Sequence, residues 1–322
     1  MTDSASLKAL EKALRRPHLE DCCSAIVSLT NLLLTTPTPV LVNNVLLRLA
    51  EVFRMDETNH VRVWVLWACN ASRDLLPVVH SRAEFLRRVV HVLGSNDDLA
   101  RALTWRLLAS IAVLIGDQSL DLGLQIRASK ALMSSETTEV ERHAVLYAMT
   151  EISKVDPQAF ALLVPNCLEK IKDISTDDAV KLNLLKWLKH CDTRELASSS
   201  TFSSLVHFMA SYPTTKFTCQ AIHLLTHLTT HCTSPPTRLQ MLQGLLHFVE
   251  RDSRVLVIAA ALRSLVCLTR THVLHMAPEL WPVIVQAVVS RLVDTTNVTV
   301  QFLGLHVLHQ SMASIGIAHV DP

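Results

Sequence analysis

A pattern that recurs about every forty residues constrains the fold of this chain more than any other feature of its sequence. Each recurrence has polar or acidic residues, then a β-branched or leucine position, and then a long apolar stretch with helical spacing. Successive positions lie 38, 41, 40, 37, 38 and 43 residues apart, and the fifth is the weakest member because TTKF lacks the acid. We call these positions the anchors: Val61, Leu99, Val140, Val180, Phe217, Val255 and Val298.

A second helix fits between successive anchors, as where DPQAFALLVPNCLEKI follows ERHAVLYAM. Helix pairs of this length are typical of HEAT and armadillo repeats, which bury their apolar faces by stacking on neighbours. We therefore predict an all-α fold, a HEAT/armadillo-like α-solenoid of stacked antiparallel helix pairs. It should be one continuous domain over residues 1–322, with about eight helix pairs including a leading pair at residues 6–34.

The last residues, HQSMASIGIAHVDP, give no polar capping repeat, although the terminal repeats of a solenoid normally need one. We therefore expect either the N-terminal part of a longer array or an end that a partner covers.

Composition limits the classes of function. The chain has 30 basic and 29 acidic residues, so its net charge of +1 argues against direct nucleic-acid contact through bulk electrostatics. It is 49% hydrophobic and only 18% charged, which indicates either a thick core or a surface covered by other proteins. The longest apolar run, VLVIAAALRSLVCL, is interrupted by Arg263, so we expect no membrane span. Without a secretory signal, the eight cysteines are expected to be reduced thiols in an intracellular protein.

Motifs that carry catalysis are missing from the sequence. It contains no glycine-rich phosphate loop, no HExxH and no GxSxG, and its six glycines are scattered. We therefore predict that the chain is not an enzyme and needs no cofactor.

Three histidines form the one pattern with metal-ligand spacing. His223, His227 and His231 follow each other at four-residue intervals, with Cys232 adjacent, so they share one face of a helix. Histidines four apart can chelate zinc. The alternative is an amphipathic run beside Leu224, Leu225 and Leu228, and we favour it because no second ligand pair with metal spacing is near in sequence.

The stretch SNDDLARALTWRLLASIAVLI, residues 95–115, resembles a helix start rather than a charged pocket. Asn96 or Asp97 should cap the helix, and Asp97 should pair with Arg101 one turn later. The same acid-to-base step recurs from Asp177 to Lys181, as a structural feature would. The expected buried stripe is Leu99, Leu103, Leu107, Ile111 and Leu114.

Candidates for partner binding are few. The five tryptophans fall in separate repeats apart from Trp64 and Trp67, and we expect most of them to pack in the core. Trp64 and Trp67 lie three apart on one helix and could anchor a partner, because aromatic anchors dominate binding hot spots. Arg106 is not explained by the repeat, so we predict that it contacts either the neighbouring repeat or a partner.

Three stretches carry a resemblance to a known family. PVLVNNVLLRLAEVFR, SNDDLARALTWRLLASIAVLI and SYPTTK (residues 211–216) resemble the N-terminal helical-repeat region of the Integrator complex subunit 7 family. The resemblance implies a nuclear scaffold without catalytic activity, whose partners are other Integrator subunits and, indirectly, the RNA polymerase II transcription machinery. It also implies a part in small nuclear RNA 3′-end processing and in the cleavage and attenuation of RNA polymerase II transcripts.

Two other classes of function remain open at this point. Helical repeats also build adaptors of vesicle transport or nuclear transport, and periodicity alone cannot separate these from an Integrator scaffold. The three stretches that resemble the Integrator complex subunit 7 family favour the hypothesis of an Integrator scaffold. A metal-dependent hydrolase built on helices would depend on zinc at the three histidines.

Overall fold

Only helices and their connections occur in the part of the chain that the computed structural model describes, which is residues 10, 12–14, 18–55, 58–115, 122–192, 196, 205, 214–232, 234–271 and 280–318. The predicted leading helix pair at residues 6–34 lies partly outside these residues, and so does the start of SYPTTK. The chain divides into two compact units, Met1–Leu163 and Val164–Pro322. None of the described helices is both long and apolar enough to cross a lipid bilayer.

The first unit contains eight described α-helices and three short 3₁₀ segments. The 3₁₀ segments are Arg73–Val78, Val92–Gly94 and Ala161–Leu163. The α-helices are α1 (Leu19–Thr35), α2 (Pro39–Met55), α3 (Asn59–Ala71), α4 (Arg82–His91), α5 (Asp98–Ser110), α6 (Ala112–Ile115), α7 (Leu122–Met133) and α8 (Glu139–Ser153).

Seven α-helices are described in the second unit. They are α9 (Val164–Lys172), α10 (Asp178–Leu188), α11 (Thr215–His231), α12 (Pro235–Arg251), α13 (Val255–Arg270), α14 (Trp281–Asp294) and α15 (Val298–Ala318).

Both units are built from two layers of helices. In the first unit α1, α3, α5 and α8 pack side by side in one layer, while α2 packs against α4 in the other. In the second unit α10, α11, α13 and α15 form one layer, and α12 packs against α14 in the other. We call the layer that holds the anchors the anchor layer. Helices of one layer pack on those of the other, as expected when each helix pair buries its apolar faces by stacking.

The seven anchors all lie in the first turn of an anchor-layer helix, but burial follows a slightly different register. In each helix that carries an anchor, the residue three positions after the N-cap is buried. The anchor Leu99 lies only two positions after its cap, Asp97, and is 44% exposed. Four anchors, Leu99, Val140, Val255 and Val298, are therefore one or two residues too early. The buried equivalents are Val61, Ala100, Glu141, Val180, Phe217, Val257 and Val300.

Helix α5 shows why the predicted stripe was partly wrong. Leu107, Ile111 and Leu114 are buried as predicted, but Leu103 is only half-buried and Leu99 is exposed. The first and second residues after the cap of α5, Asp98 and Leu99, are not buried, whereas the third, Ala100, is buried. Ala100 and Thr104 therefore extend the buried stripe towards the helix start instead of the leucines.

Candidate functional site

Helix caps in the anchor layer position the polar groups between repeats. The side chain of Asp97 accepts a hydrogen bond of 2.9 Å from the backbone N–H of Leu99, which confirms it as the N-cap of α5. Asp177 caps α10 in the same way. Such caps satisfy N–H groups that have no partner inside the helix.

Contacts between neighbouring repeats replace the predicted ion pair within α5. Asn59 of α3 donates to Asp97 at 2.7 Å, and this bond is the main reason that the pKa of Asp97 is lowered. Arg101 donates to both carboxylate oxygens of Glu141 in α8, at 2.9 and 2.6 Å. The prediction of an Asp97–Arg101 pair is therefore wrong, because Arg101 instead pairs with the buried carboxylate of Glu141, which is costly to bury without a cation.

An exposed stripe of aromatic and cationic side chains runs across the anchor layer of the first unit. Trp67, Arg106 and Tyr147 are exposed and lie on α3, α5 and α8, which pack side by side. Each follows the N-cap of its helix by nine residues, the caps being Thr58, Asp97 and Thr138. Together with Trp64 these residues form what we call the aromatic stripe.

Contacts within the aromatic stripe are specific. The rings of Trp64 and Trp67 meet edge to face with their centroids 5.7 Å apart, and the residues are 39% and 42% exposed. The guanidinium of Arg106 lies 5.1 Å from the centre of the Tyr147 ring, a cation–π arrangement. Arg106 thus contacts the neighbouring repeat, as one of its two predicted roles requires, and its role in partner binding stays a prediction.

Sequence reasoning missed Tyr147, although the spacing of the caps would have identified it. The other tryptophans, Trp105, Trp187 and Trp281, are buried, as predicted for most of the set.

The three histidines share one face of α11 in the second unit. The rings of His227 and His231 meet with centroids 4.8 Å apart. Burial is the main cause of lowered pKa values at His223 and His227, with the positive charge of Lys189 adding to the effect at both. Among the described residues no group of three His, Cys, Asp or Glu side chains is arranged to hold a metal ion. The nearby positive charges also oppose a bound cation, and the interpretation of these histidines as an amphipathic run rather than a zinc site stays a prediction.

Two buried cysteines, Cys69 and Cys167, do not offer an activated nucleophile. All eight are free thiols. Burial raises the pKa of Cys69 and of Cys167 to about 12, so both stay protonated near neutral pH.

Solved structures with similar backbones share the fold class. A chain in a structure of Kap95p bound to RanGDP matches with a TM-score of 0.62 at 14% identity, covering 97% of this chain and 41% of that chain. An engineered protein from the Northeast Structural Genomics Consortium matches with a TM-score of 0.57 at 16% identity, covering 96% of this chain and 81% of that one. At such identities the likeness shows the fold alone, and it confirms the predicted HEAT/armadillo-like class.

Proteins with similar sequences show which family the chain belongs to. Integrator complex subunit 7 of Homo sapiens is 30% identical over 319 residues, covering 98% of this chain and 32% of that protein. The subunit of Drosophila melanogaster is 29% identical over 306 residues, covering 95% of this chain and 29% of that protein. The chain thus spans about a third of the length of these relatives. The family described as Integrator complex subunit 7, N-terminal, matches residues 7–321, and this chain belongs to that family.

Proposed function

We propose that this chain is a non-catalytic scaffold segment of the Integrator complex in the nucleus. In that role it supports small nuclear RNA 3′-end processing and the cleavage and attenuation of RNA polymerase II transcripts. Its partners are other Integrator subunits. The observation that carries the proposal is the family match over residues 7–321, which leaves almost none of the chain outside it.

Exposed side chains suggest where such a scaffold binds. Large aromatic side chains that stay partly exposed on a rigid layer of helices suit a partner-binding hot spot. The aromatic stripe supplies Trp64 and Trp67 on α3 and Tyr147 on α8, and Arg106 of α5, between them, is already oriented by its contact to Tyr147. We therefore assign the aromatic stripe as the first surface to test for binding to another Integrator subunit.

The alternative of a transport adaptor has weaker support. The likeness to Kap95p is at 14% identity and concerns the path of the helices, which many unrelated binding functions share.

Affinity purification of the tagged chain from nuclear extract tests the proposal. We expect mass spectrometry to find other Integrator subunits with the unmodified chain. The double substitution Trp64→Ala and Trp67→Ala should reduce their recovery, because truncating aromatic anchors typically removes a large part of a binding energy. Val40→Ala is the matched control, since Val40 is 70% exposed on α2, outside the anchor layer.

Two outcomes would contradict parts of the proposal. Recovery of no Integrator subunit with the unmodified chain would overturn the scaffold role. Equal recovery with the double variant and with Val40→Ala would overturn the assignment of the aromatic stripe. Thermal melting of each variant shows whether a loss of recovery comes from a loss of fold.

A further inference from the structure

A groove in the second unit is lined by several basic side chains. It lies on the anchor layer, where the end of α10 meets α11 and α13, and encloses about 400 Å³. Lys189 follows α10, His223 and His227 project from α11, and Arg263 projects from α13. Four basic side chains therefore line one depression in a protein whose net charge is only +1.

The described lining of this groove carries no negative charge. No Asp or Glu is among the described residues that line it. Within the described part of the chain, Lys189, His223 and Arg263 form no ion pair with a carboxylate. The positive charges of Lys189 and Arg263, which no described carboxylate neutralises in an ion pair, attract anions, so the groove is suited to a negatively charged ligand.

The pKa values agree with this arrangement. Burial lowers the pKa of Lys189. Burial is also the first cause at His223, where the charges of Lys189 and Arg263 lower the pKa further. At His227 burial is again first, followed by the charges of His231, His190 and Lys189. Both histidines therefore lose positive charge more readily than an ordinary histidine, and an anion beside them would reverse that effect.

The repeat explains how these groups come together. His223 and Arg263 each follow the N-cap of their helix by nine residues, the caps being Thr214 and Arg254. This is the register that places Trp67, Arg106 and Tyr147 on the anchor layer of the first unit. The same surface position thus holds aromatic or basic side chains in the first unit and basic side chains in the second.

We propose that the groove formed by Lys189, His223, His227 and Arg263 binds an acidic peptide segment of a partner protein. The carboxylates of Asp or Glu side chains would accept hydrogen bonds from Arg263 and Lys189, which are the strong, charge-assisted kind. The histidines would take up a proton when the carboxylates arrive. This inference goes beyond the scaffold role and is tested without any Integrator subunit, so either can fail alone.

Nucleic acid fits the groove less well than a peptide. Proteins that bind single strands place aromatic side chains under the bases, and no Phe, Tyr or Trp is among the described residues that line this groove. Four basic groups within about 400 Å³ also span too little surface to follow an extended phosphate backbone.

Fluorescence anisotropy with a labelled octaglutamate peptide tests the proposal on the full chain. We expect saturable binding that weakens by about tenfold or more in Lys189→Gln and in Arg263→Gln, because each variant removes a charge-assisted hydrogen bond. Arg251→Gln is the matched control, since it removes the same charge from an exposed position on α12 in the other layer.

Changing the pH gives a second readout that a folding defect would not mimic. We expect the affinity for octaglutamate to rise as the pH falls from about 7.5 to about 6, because the unliganded histidines have pKa values below the usual value of about 6.5. The substitution His227→Gln should flatten this dependence.

Several results would overturn the proposal. One is an equal loss of affinity in Arg251→Gln and in Arg263→Gln. Another is an unchanged affinity in both groove variants, Lys189→Gln and Arg263→Gln. The third is the absence of saturable binding to octaglutamate. Tighter binding of a labelled decauridine than of octaglutamate at the same salt concentration would assign the groove to nucleic acid instead. A circular dichroism spectrum of each variant confirms that its helices are intact.

Discussion

At the scale of single residues, burial depends on the distance from the helix cap more than on residue type. The third residue after the N-cap is apolar in six of the seven anchor-layer helices that carry anchors, and in α8 it is Glu141. A carboxylate at this position is costly to bury unless a cation pairs with it. Arg101 of α5 is the cation that pairs with Glu141. The third position after the cap is therefore buried in α8 too, with an ion pair in place of an apolar side chain.

Leu107 gives the first prediction at this scale. It is fully buried in α5, so Leu107→Ala removes packed methyl groups and leaves a cavity. We expect the free energy of unfolding to fall by about 2–5 kcal/mol. Leu99→Ala is the control on the same helix, because Leu99 is 44% exposed and its loss should cost well under about 1 kcal/mol.

Chemical denaturation of the two variants beside the unmodified chain measures both changes. Equal destabilisation by Leu99→Ala and Leu107→Ala would contradict the packing described for α5.

The contrast between these leucines shows what sequence could predict. Helical periodicity identified α5, its cap at Asp97 and the buried Leu107, because these depend on spacing within one helix. The burial of Ala100 in place of Leu99 was not predictable in this way, because it depends on how α3 and α8 pack against the first turn of α5. Trp64 and Trp67 were identified, and Tyr147 was predictable from its distance to the cap Thr138 although it was missed. That Lys189 and Arg263 line one groove was not predictable, because it depends on contacts between helices.

At the scale of helices, polar bonds between repeats add specificity to apolar stacking. Asn59 bonds to Asp97 from α3 to α5, and Arg101 bonds to Glu141 from α5 to α8. Apolar faces alone allow neighbouring helices to slide, whereas a paired charge at a buried position fits one register. We propose that these bonds fix the register of α3, α5 and α8.

A double-mutant cycle on Arg101 and Glu141 tests this view. Both side chains are largely buried, at 24% and 6% exposure, so we expect a coupling energy of about 1–3 kcal/mol between Arg101→Met and Glu141→Gln. The pair of Lys172 and Glu169 within α9, with side chains 33% and 73% exposed, is the control, and its coupling should be no more than about 0.5 kcal/mol.

Urea denaturation of the four proteins in each cycle gives both coupling energies. Similar values for the two pairs would show that the contact between α5 and α8 adds no more than an ordinary surface ion pair does.

At the scale of the whole molecule, the repeat explains why one surface register carries the candidate binding groups in both units. The position nine residues after each cap points out of the anchor layer, so it is free to vary without disturbing the core. It holds Trp67, Arg106 and Tyr147 in the first unit, and His223 and Arg263 in the second. A scaffold can therefore assign different partners to different repeats while keeping the same core.

We propose, as the repeat pattern predicts, that residues 1–322 form one continuous solenoid. Its stability is then a sum of terms from each repeat and from each contact between neighbours, so damage in one repeat weakens repeats further along. Leu107→Ala in the first unit should lower amide protection in α11 and α13 of the second unit, beyond its local effect on α5. Leu225→Ala, at a fully buried position of α11, should lower protection in α5 and α8 in return.

Hydrogen exchange followed by mass spectrometry measures protection helix by helix under native conditions. Leu99→Ala serves as the control and should leave exchange in the second unit unchanged, because it creates no cavity. If each buried variant alters exchange only within its own unit, residues 1–163 and 164–322 unfold independently and the continuous array is ruled out as one cooperative structure. A reciprocal loss of protection, graded with the number of repeats from the substitution, is the pattern that nearest-neighbour coupling requires.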